Sequence, residues 1–238
     1  MSDTSFVFPP SPTVSVPVIG TNKRFPIHRL YCVGRNYEEH AKEMGFTGRE
    51  PPFFFMKPAD AIVNAGPDGV ATIHYPSNTQ NLHHEVELVV AIGKGGKNIT
   101  AGNALDHVFG FALGLDMTRR DLQNDMKKQG RPWCIGKAFD ESAPIGPITT
   151  LADAPGIHTA NIALSVNGTL RQSSGIQKLI WNVAETIEHL SRSWELQPGD
   201  LIFTGTPEGV AAVQAGDRMD AVIDGLPPLT VNVLTPRS

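Results

Sequence analysis

Cysteine is almost absent from this chain. Cys32 and Cys134 are the only two in 238 residues, far apart and without a Cys-x-x-Cys spacing. A disulfide framework and a thiolate zinc site both lack the residues they need, so two reduced, structural thiols in a cytoplasmic protein are expected. No apolar run approaches the roughly 18–20 residues that cross a bilayer. The proline-rich start, MSDTSFVFPPSPTVSVP, lacks the basic and apolar regions of a signal peptide. Neither sign of charge dominates: 20 Lys and Arg stand against 24 Asp and Glu, a formal charge of −4. No stretch is basic enough to track a phosphate backbone. Nucleic acid and membrane are therefore not expected partners. Several catalytic signatures are missing too. There is no Gly-x-Ser-x-Gly elbow and no Gly-x-Gly-x-x-Gly, and "GKGGK" (93–97) has hairpin-turn rather than phosphate-loop spacing.

What the chain does have is punctuation. Its 23 glycines and 19 prolines separate short β-branched and aromatic runs, the pattern of a β-rich protein. Strands are predicted at 29–33, 53–57, 61–64, 85–92, 109–116, 161–167, 200–204 and 229–234. Helices are predicted at 36–44, 118–130 and 176–194, the last from a stripe running from Ile176 and Leu179 to Leu190 and Trp194. Asn36 is placed as the N-cap of the first. With no internal repeat and no linker, the expectation is an extended Pro-rich segment over 1–25 followed by a single domain over 26–238.

One stretch resists a purely structural reading. In "NLHHEVELVV" (81–90), Glu85 and Glu87 share a strand face about 6–7 Å apart. Like charges that close, beside a core-forming run, call for a positive partner. Asp116, in "GFALGLDMTRRDLQ", ends another apolar strand and reads equally as a helix N-cap. Together the three carboxylates form a hard-oxygen set suited to Mg²⁺ or Mn²⁺, with His83 and His84 read either as further ligands or, preferably, as packing neighbours.

Other candidates stay open on residue type alone. His40 and Glu43, in "GRNYEEHAKEM", are three apart and share a helix face; they form either a base held by a carboxylate or a solvated surface pair. Lys137, read here as a strand residue between Ile135 and Phe139, either points inward toward an anion or lies on the surface. "TGTPEGV" (204–210) is a turn whose amides and Thr206 hydroxyl can meet a carboxylate.

Six separated pieces, in order, resemble the fumarylacetoacetate hydrolase family: "GRNYEEHAKEM", "PPFFFMKPADAIV", "HHEVELVVAIGK", "GLDMTRRDLQ", "GRPWCIGKAFDESAPIGP" and "GTPEGV". The resemblance runs from about Arg29 to Val233 and is strongest to the short bacterial branch that hydrolyses acylpyruvates, fumarylpyruvate above all. It implies an α+β, β-rich fold, a mixed β-roll or β-sandwich with flanking helices, assembled as a homodimer. It implies Glu85, Glu87 and Asp116 as ligands of one Mg²⁺ or Mn²⁺, and His40 with Glu43 as the water-activating dyad. Lys137 and Gln123 are implied at the substrate, Thr206 at its carboxylate, and Arg35 and Arg120 as further anion contacts. The implied reaction is hydrolysis of the carbon–carbon bond of a 2,4-dioxo acid in gentisate degradation. Oxaloacetate decarboxylation or tautomerisation, a ring-cleavage-product isomerase, and a non-catalytic metal-binding protein are the competing expectations.

Overall fold

The computed structural model describes residues 5–39 and 49–237. The predicted strand at 85–92 is observed as Val86–Ile92 and lies inside an eight-stranded sheet. From one edge the order is Phe53–Lys57, Leu30–Gly34, Leu201–Phe203, Val86–Ile92, Val108–Leu115, Ala143–Ile145 and Ile62–Asn64, with Thr149–Thr150 also pairing to Val108–Leu115. Two pairings are parallel, Leu201–Phe203 with Leu30–Gly34 and Ala143–Ile145 with Ile62–Asn64. A second sheet of five strands runs Thr169–Gly175, Asn161–Val166, Arg218–Ile223, Leu229–Leu234 and Val70–His74. This is the β-rich mixed architecture that the sequence led us to expect, and the expected strands fall within two residues of the observed ones.

Every residue of Val86–Ile92 is buried, because both faces of its sheet are covered. Successive side chains alternate. Val86, Leu88, Val90 and Ile92 enter one core with Ile162, Leu164, Met219 and Val231 of the second sheet. Val89 and Ala91 enter the other core with Cys32, Ala112 and Phe203, with Val16 and Phe25 from the Ser15–Pro17 and Arg24–Pro26 strands, and with Val18 just beyond the first of these. Glu87 therefore shares a face with a dry apolar core.

The sequence missed the short or polar strands, Thr169–Gly175 and Val70–His74 among them, since neither alternates cleanly between apolar and polar. The helix expected over 176–194 is corrected. A single 3₁₀ turn, Ile176–Lys178, is followed by an α-helix only at Val183–Ser193. The reason is local. The amides of Ile180 and Trp181 donate to the carbonyl and side-chain oxygen of Asn36, so they are unavailable to an extending helix. Asn36 is buried as this cross-link, and the helix expected at 36–44, which it was placed to cap, lies largely outside the described residues. The helix then starts afresh with a capping box: Asn182 Oδ1 accepts from Glu185 N at 3.0 Å, and Glu185 Oε2 accepts from Asn182 N at 3.1 Å. The third helix expected, 118–130, is observed as Arg120–Lys128.

Asn182→Ala removes one half of that box. We expect a loss of about 1 kcal/mol, a fall in Tm of about 2–4 °C for a chain of this size, and unchanged divalent-metal affinity. Calorimetric melting of the two proteins checks it; an unaltered Tm would mean that the box contributes nothing to stability.

Candidate metal centre and active site

Two strand ends build the site. Glu85 and Glu87 stand at the start of Val86–Ile92, and Asp116 follows the end of its antiparallel neighbour Val108–Leu115. The pairing continues past the strands, with the Asp116 amide donating to the Glu85 carbonyl at 2.9 Å. All three carboxylates are buried, and each offers an oxygen within 4.8 Å of the others. Oxygens around one octahedral ion at about 2.1 Å are about 3–4 Å apart, so this spacing suits a shared hard cation. Among the described residues no lysine or arginine forms an ion pair with Glu87; its Oε2 accepts only the Gly205 amide, at 2.7 Å. Asp116 Oδ1 lies 2.9 Å from Lys57 Nζ but makes no well-directed hydrogen bond. These are under-satisfied anionic oxygens in a dry place, and a divalent ion fits them.

Among the described residues, three cations surround the carboxylates. Lys137 Nζ lies 2.6 Å from Glu85 and 2.7 Å from Asp116. Burial pulls its pKa down, but Asp116 and Glu85 outweigh that and hold it above the ordinary lysine value. The sequence placed Lys137 on a strand; it ends the short helix Cys134–Lys137. That turn packs so closely on Arg120–Lys128 that a Cβ on Gly136 would lie 2.8 Å from the Gln123 amide nitrogen. Glycine there lets Lys137 and Gln123 reach one pocket. Arg120 pairs with Glu85 and donates to Gln123 Oε1 at 2.6 Å. The third cation, Lys57, is fully buried, pairs with Asp116, and donates to the carbonyls of Met117 (3.1 Å) and Lys137. Lysine at the end of "FFFMK" looks solvent-facing in sequence, so Lys57 escaped notice.

The two histidines are buried or half-buried partners of this cluster and stand outside the carboxylate group. His83 accepts from Arg120 Nε at Nδ1 and bonds Asn81 through Nε2 at 2.9 Å; burial and then Arg120 push its pKa down to about 4. Burial, chiefly, lowers the His84 pKa, and its Nδ1 lies 2.8 Å from Gln172 Oε1.

The cluster opens into a pocket lined by Val33, Gly34, Arg35, Phe55, Glu85, Glu87, Arg120, Gln123, Trp133, Lys137 and Thr206. Arg35 has a positive φ of 59°, a costly conformation for a side chain of its size that often marks a functional position. Its guanidinium lies 4.9 Å from the centre of the Phe53 ring. The structure thus brings Arg35, Glu85, Glu87, Asp116, Arg120, Gln123, Lys137 and Thr206 together. His40 and Glu43 lie outside the described residues.

The flanks of the 40–48 stretch are described, and both converge on Trp181. Before it, Asn36 Nδ2 donates to the carbonyls of Trp181 (2.9 Å) and Thr204 (2.8 Å). After it, the Arg49 guanidinium sits 4.2 Å over the Trp181 ring, and Trp181 Nε1 donates to the Glu50 carbonyl at 3.1 Å. Gly205, with φ +100°, permits the approach of Asn36, whose Cβ a side chain there would strike at 2.7 Å.

Burial first, then Asp116 and Glu85, push the Glu87 carboxyl well above the ordinary carboxylate range. In metal-free protein, the stability owed to protonated Glu87 is full below the unfolded value of about 4.3 and is lost as pH rises through the raised one. A divalent ion binds the ionised form. We therefore expect the Tm gap between Mn²⁺-loaded and EDTA-treated protein to widen with rising pH. Paired melting curves across the neutral range test this, and a gap that stays constant or narrows refutes it.

With the geometry established, known proteins supply a frame for it. Residues 29–234 match the family described as fumarylacetoacetate (FAA) hydrolase C-terminal. The crystal structure of fumarylpyruvate hydrolase from Pseudomonas aeruginosa, in complex with Mn²⁺ and pyruvate, is 55% identical, with a TM-score of 0.95, covering 97% of this chain and 100% of that one. A fumarylpyruvate hydrolase from a Ralstonia species is 45% identical over 77% of this chain and 93% of its own length. The mitochondrial oxaloacetate tautomerase FAHD1 of Rattus norvegicus is 42% identical over 83% of this chain and 87% of its own.

Proposed function

The chain belongs to the fumarylacetoacetate hydrolase family, and from that membership we propose that it hydrolyses a carbon–carbon bond in an acylpyruvate, with fumarylpyruvate as substrate. The observation that carries the reading is the buried Glu85–Glu87–Asp116 group with Lys137 among its oxygens, in a chain 55% identical to a fumarylpyruvate hydrolase crystallised with Mn²⁺ and pyruvate.

Glu85, Glu87 and Asp116 hold one Mg²⁺ or Mn²⁺. When bound, that ion polarises the 2-oxo acid end of the substrate and offsets the negative charge that develops there. His40, its ring held by Glu43, takes a proton from water, and the resulting hydroxide forms a bond to the C4 carbonyl carbon. Reforming that carbonyl breaks the C3–C4 bond, and the electron pair leaves with the pyruvate fragment. The Lys137 ammonium stabilises the departing enolate, a contribution of about 3–4 kcal/mol for a well-placed donor. Protonation at C3 gives pyruvate, and the acyl half leaves as fumarate. Gln123 and Arg120 orient the dioxo acid, Thr206 meets its carboxylate, and Arg35 serves as a further anion contact.

Charge supports a dicarboxylate. Lys57, Lys137 and Arg120 already match the three buried carboxylates. A bound dication therefore leaves an excess of positive charge, which a dianion such as fumarylpyruvate neutralises and a monoanion such as acetylpyruvate neutralises only in part. We further propose that residues 26–238 form the catalytic unit, working as a homodimer in the cytoplasm in gentisate degradation. No helix among the described residues is long and apolar enough to cross a membrane.

The second reading, oxaloacetate tautomerisation or decarboxylation, is favoured by the tautomerase relative at 42% identity. It needs no attacking water, so His40 separates the two. We expect fumarylpyruvate absorbance to disappear with Mg²⁺ or Mn²⁺ and to persist with EDTA, yielding fumarate and pyruvate. His40→Ala should lower that rate at least about 100-fold while leaving any oxaloacetate turnover measurable. Consumption of oxaloacetate while fumarylpyruvate persists would reject the hydrolase reading and keep the metal site.

A further inference from the structure

No sequence motif marks Gln172. It is fully buried on Thr169–Gly175, the edge strand of the five-stranded sheet. Pairing with Asn161–Val166 slips there: Leu164 faces Gln172, and Ser165 faces Leu170. Arg171 is thus an extra residue, a bulge that re-aims its neighbour. All four hydrogen-bonding positions of the Gln172 amide are taken. Oε1 accepts from the Val86 peptide N–H at 3.1 Å and lies 2.8 Å from His84 Nδ1. Nε2 donates to Thr206 Oγ1 at 2.8 Å and to the Pro207 carbonyl at 2.9 Å.

A peptide N–H can only donate, and a carbonyl can only accept, so Val86 and Pro207 fix which end of the amide is which. His84 must then carry its hydrogen on Nδ1. Thr206, receiving a hydrogen from Gln172, sends its own to the Val86 carbonyl at 2.9 Å. The Thr206 hydroxyl has no hydrogen left for a ligand. Among the described residues the Thr206 peptide N–H has no acceptor, and Thr206 lines the pocket.

We propose that Gln172 is the positioning residue for the carboxylate end of the substrate. It ties Thr206–Pro207 to the peptide between Glu85 and Glu87, turns the Thr206 hydroxyl onto Val86, and leaves the Thr206 peptide N–H as the donor that meets the carboxylate. The inference rests on the hydrolase reading, which puts Thr206 at that carboxylate.

Glutamate at 172 keeps acceptors for Val86 and His84 but, ionised or neutral, cannot supply hydrogens to both Thr206 and Pro207. The test titrates full-length Q172E calorimetrically with Mn²⁺, and the Mn²⁺-loaded protein with pyruvate. Mn²⁺ affinity should stay within about threefold of wild type, while pyruvate binding weakens about tenfold, the equivalent of about one hydrogen bond. In the hydrolysis assay KM should rise by a similar factor with kcat little changed. Unchanged pyruvate binding, or equal losses for metal and pyruvate, overturns the proposal. Pyruvate titration needs no turnover, so a wild type that binds pyruvate but leaves fumarylpyruvate intact condemns the hydrolase reading alone. Should Q172E not fold, ¹⁵N spectra of histidine-labelled wild type decide: hydrogen on Nδ1 of His84 supports the clamp, and hydrogen on Nε2 overturns it.

Discussion

Three carboxylates closed into a dry interior cannot all stay ionised without positive charge among them, and much of the local structure answers to that requirement. Glu87 shares its strand face with Val89 and Ala91 of an apolar core, so water is not available to solvate it. Lys57, Lys137 and Arg120 answer part of the demand. Breaking one such buried pair by removing a partner commonly costs about 3–5 kcal/mol. Glu87, with only the Gly205 amide on its carboxylate among the described residues, is where the demand stays unmet and where a divalent ion is most strongly called for. The arrangement sacrifices stability at the place where chemistry is wanted.

The cations divide the work by position. Lys57 sits behind the carboxylates, tying Asp116 to the carbonyls of Met117 and Lys137, and so holds the strand end and the helical turn in one geometry. Lys137 faces the pocket from that turn, between Glu85 and Asp116. A single lysine could not both brace the backbone and face a substrate. The pair explains why an apolar strand ends in a buried lysine and why a second lysine follows a glycine.

Much of this was legible in the sequence, because strand alternation states where side chains point. The spacing of Glu85 and Glu87 put both on one strand face, Asp116 stood open at a strand end between a helix N-cap and a third carboxylate of the set, and the large-sheet strands with strong apolar runs were recognised. What escaped depended on contacts between distant segments. The amides of Ile180 and Trp181 are captured by Asn36, so a stripe that reads as one long helix is broken. Gln172 sits at a bulge in a polar edge strand, where periodicity carries no information. Lys57 carries the commonest signature of a surface residue, and its contacts with Asp116, Met117, Lys137 and Phe139, all distant in sequence, make it internal.

Trp181 has an evolutionary reading. The chain enters the 40–48 stretch from Asn36, which holds the Trp181 backbone, and leaves it at Arg49 and Glu50, which hold the Trp181 indole. A change of length between those two anchors need not pull on the strands that position Glu85, Glu87 and Asp116. Each doubling of loop length adds only about 0.6 kcal/mol to the cost of closure. A lineage can thus change that segment while inheriting intact the strands that position Glu85, Glu87 and Asp116. Relatives named for hydrolysis and for tautomerisation, at 45% and 42% identity to one chain, are compatible with such a separation between strands and an anchored segment.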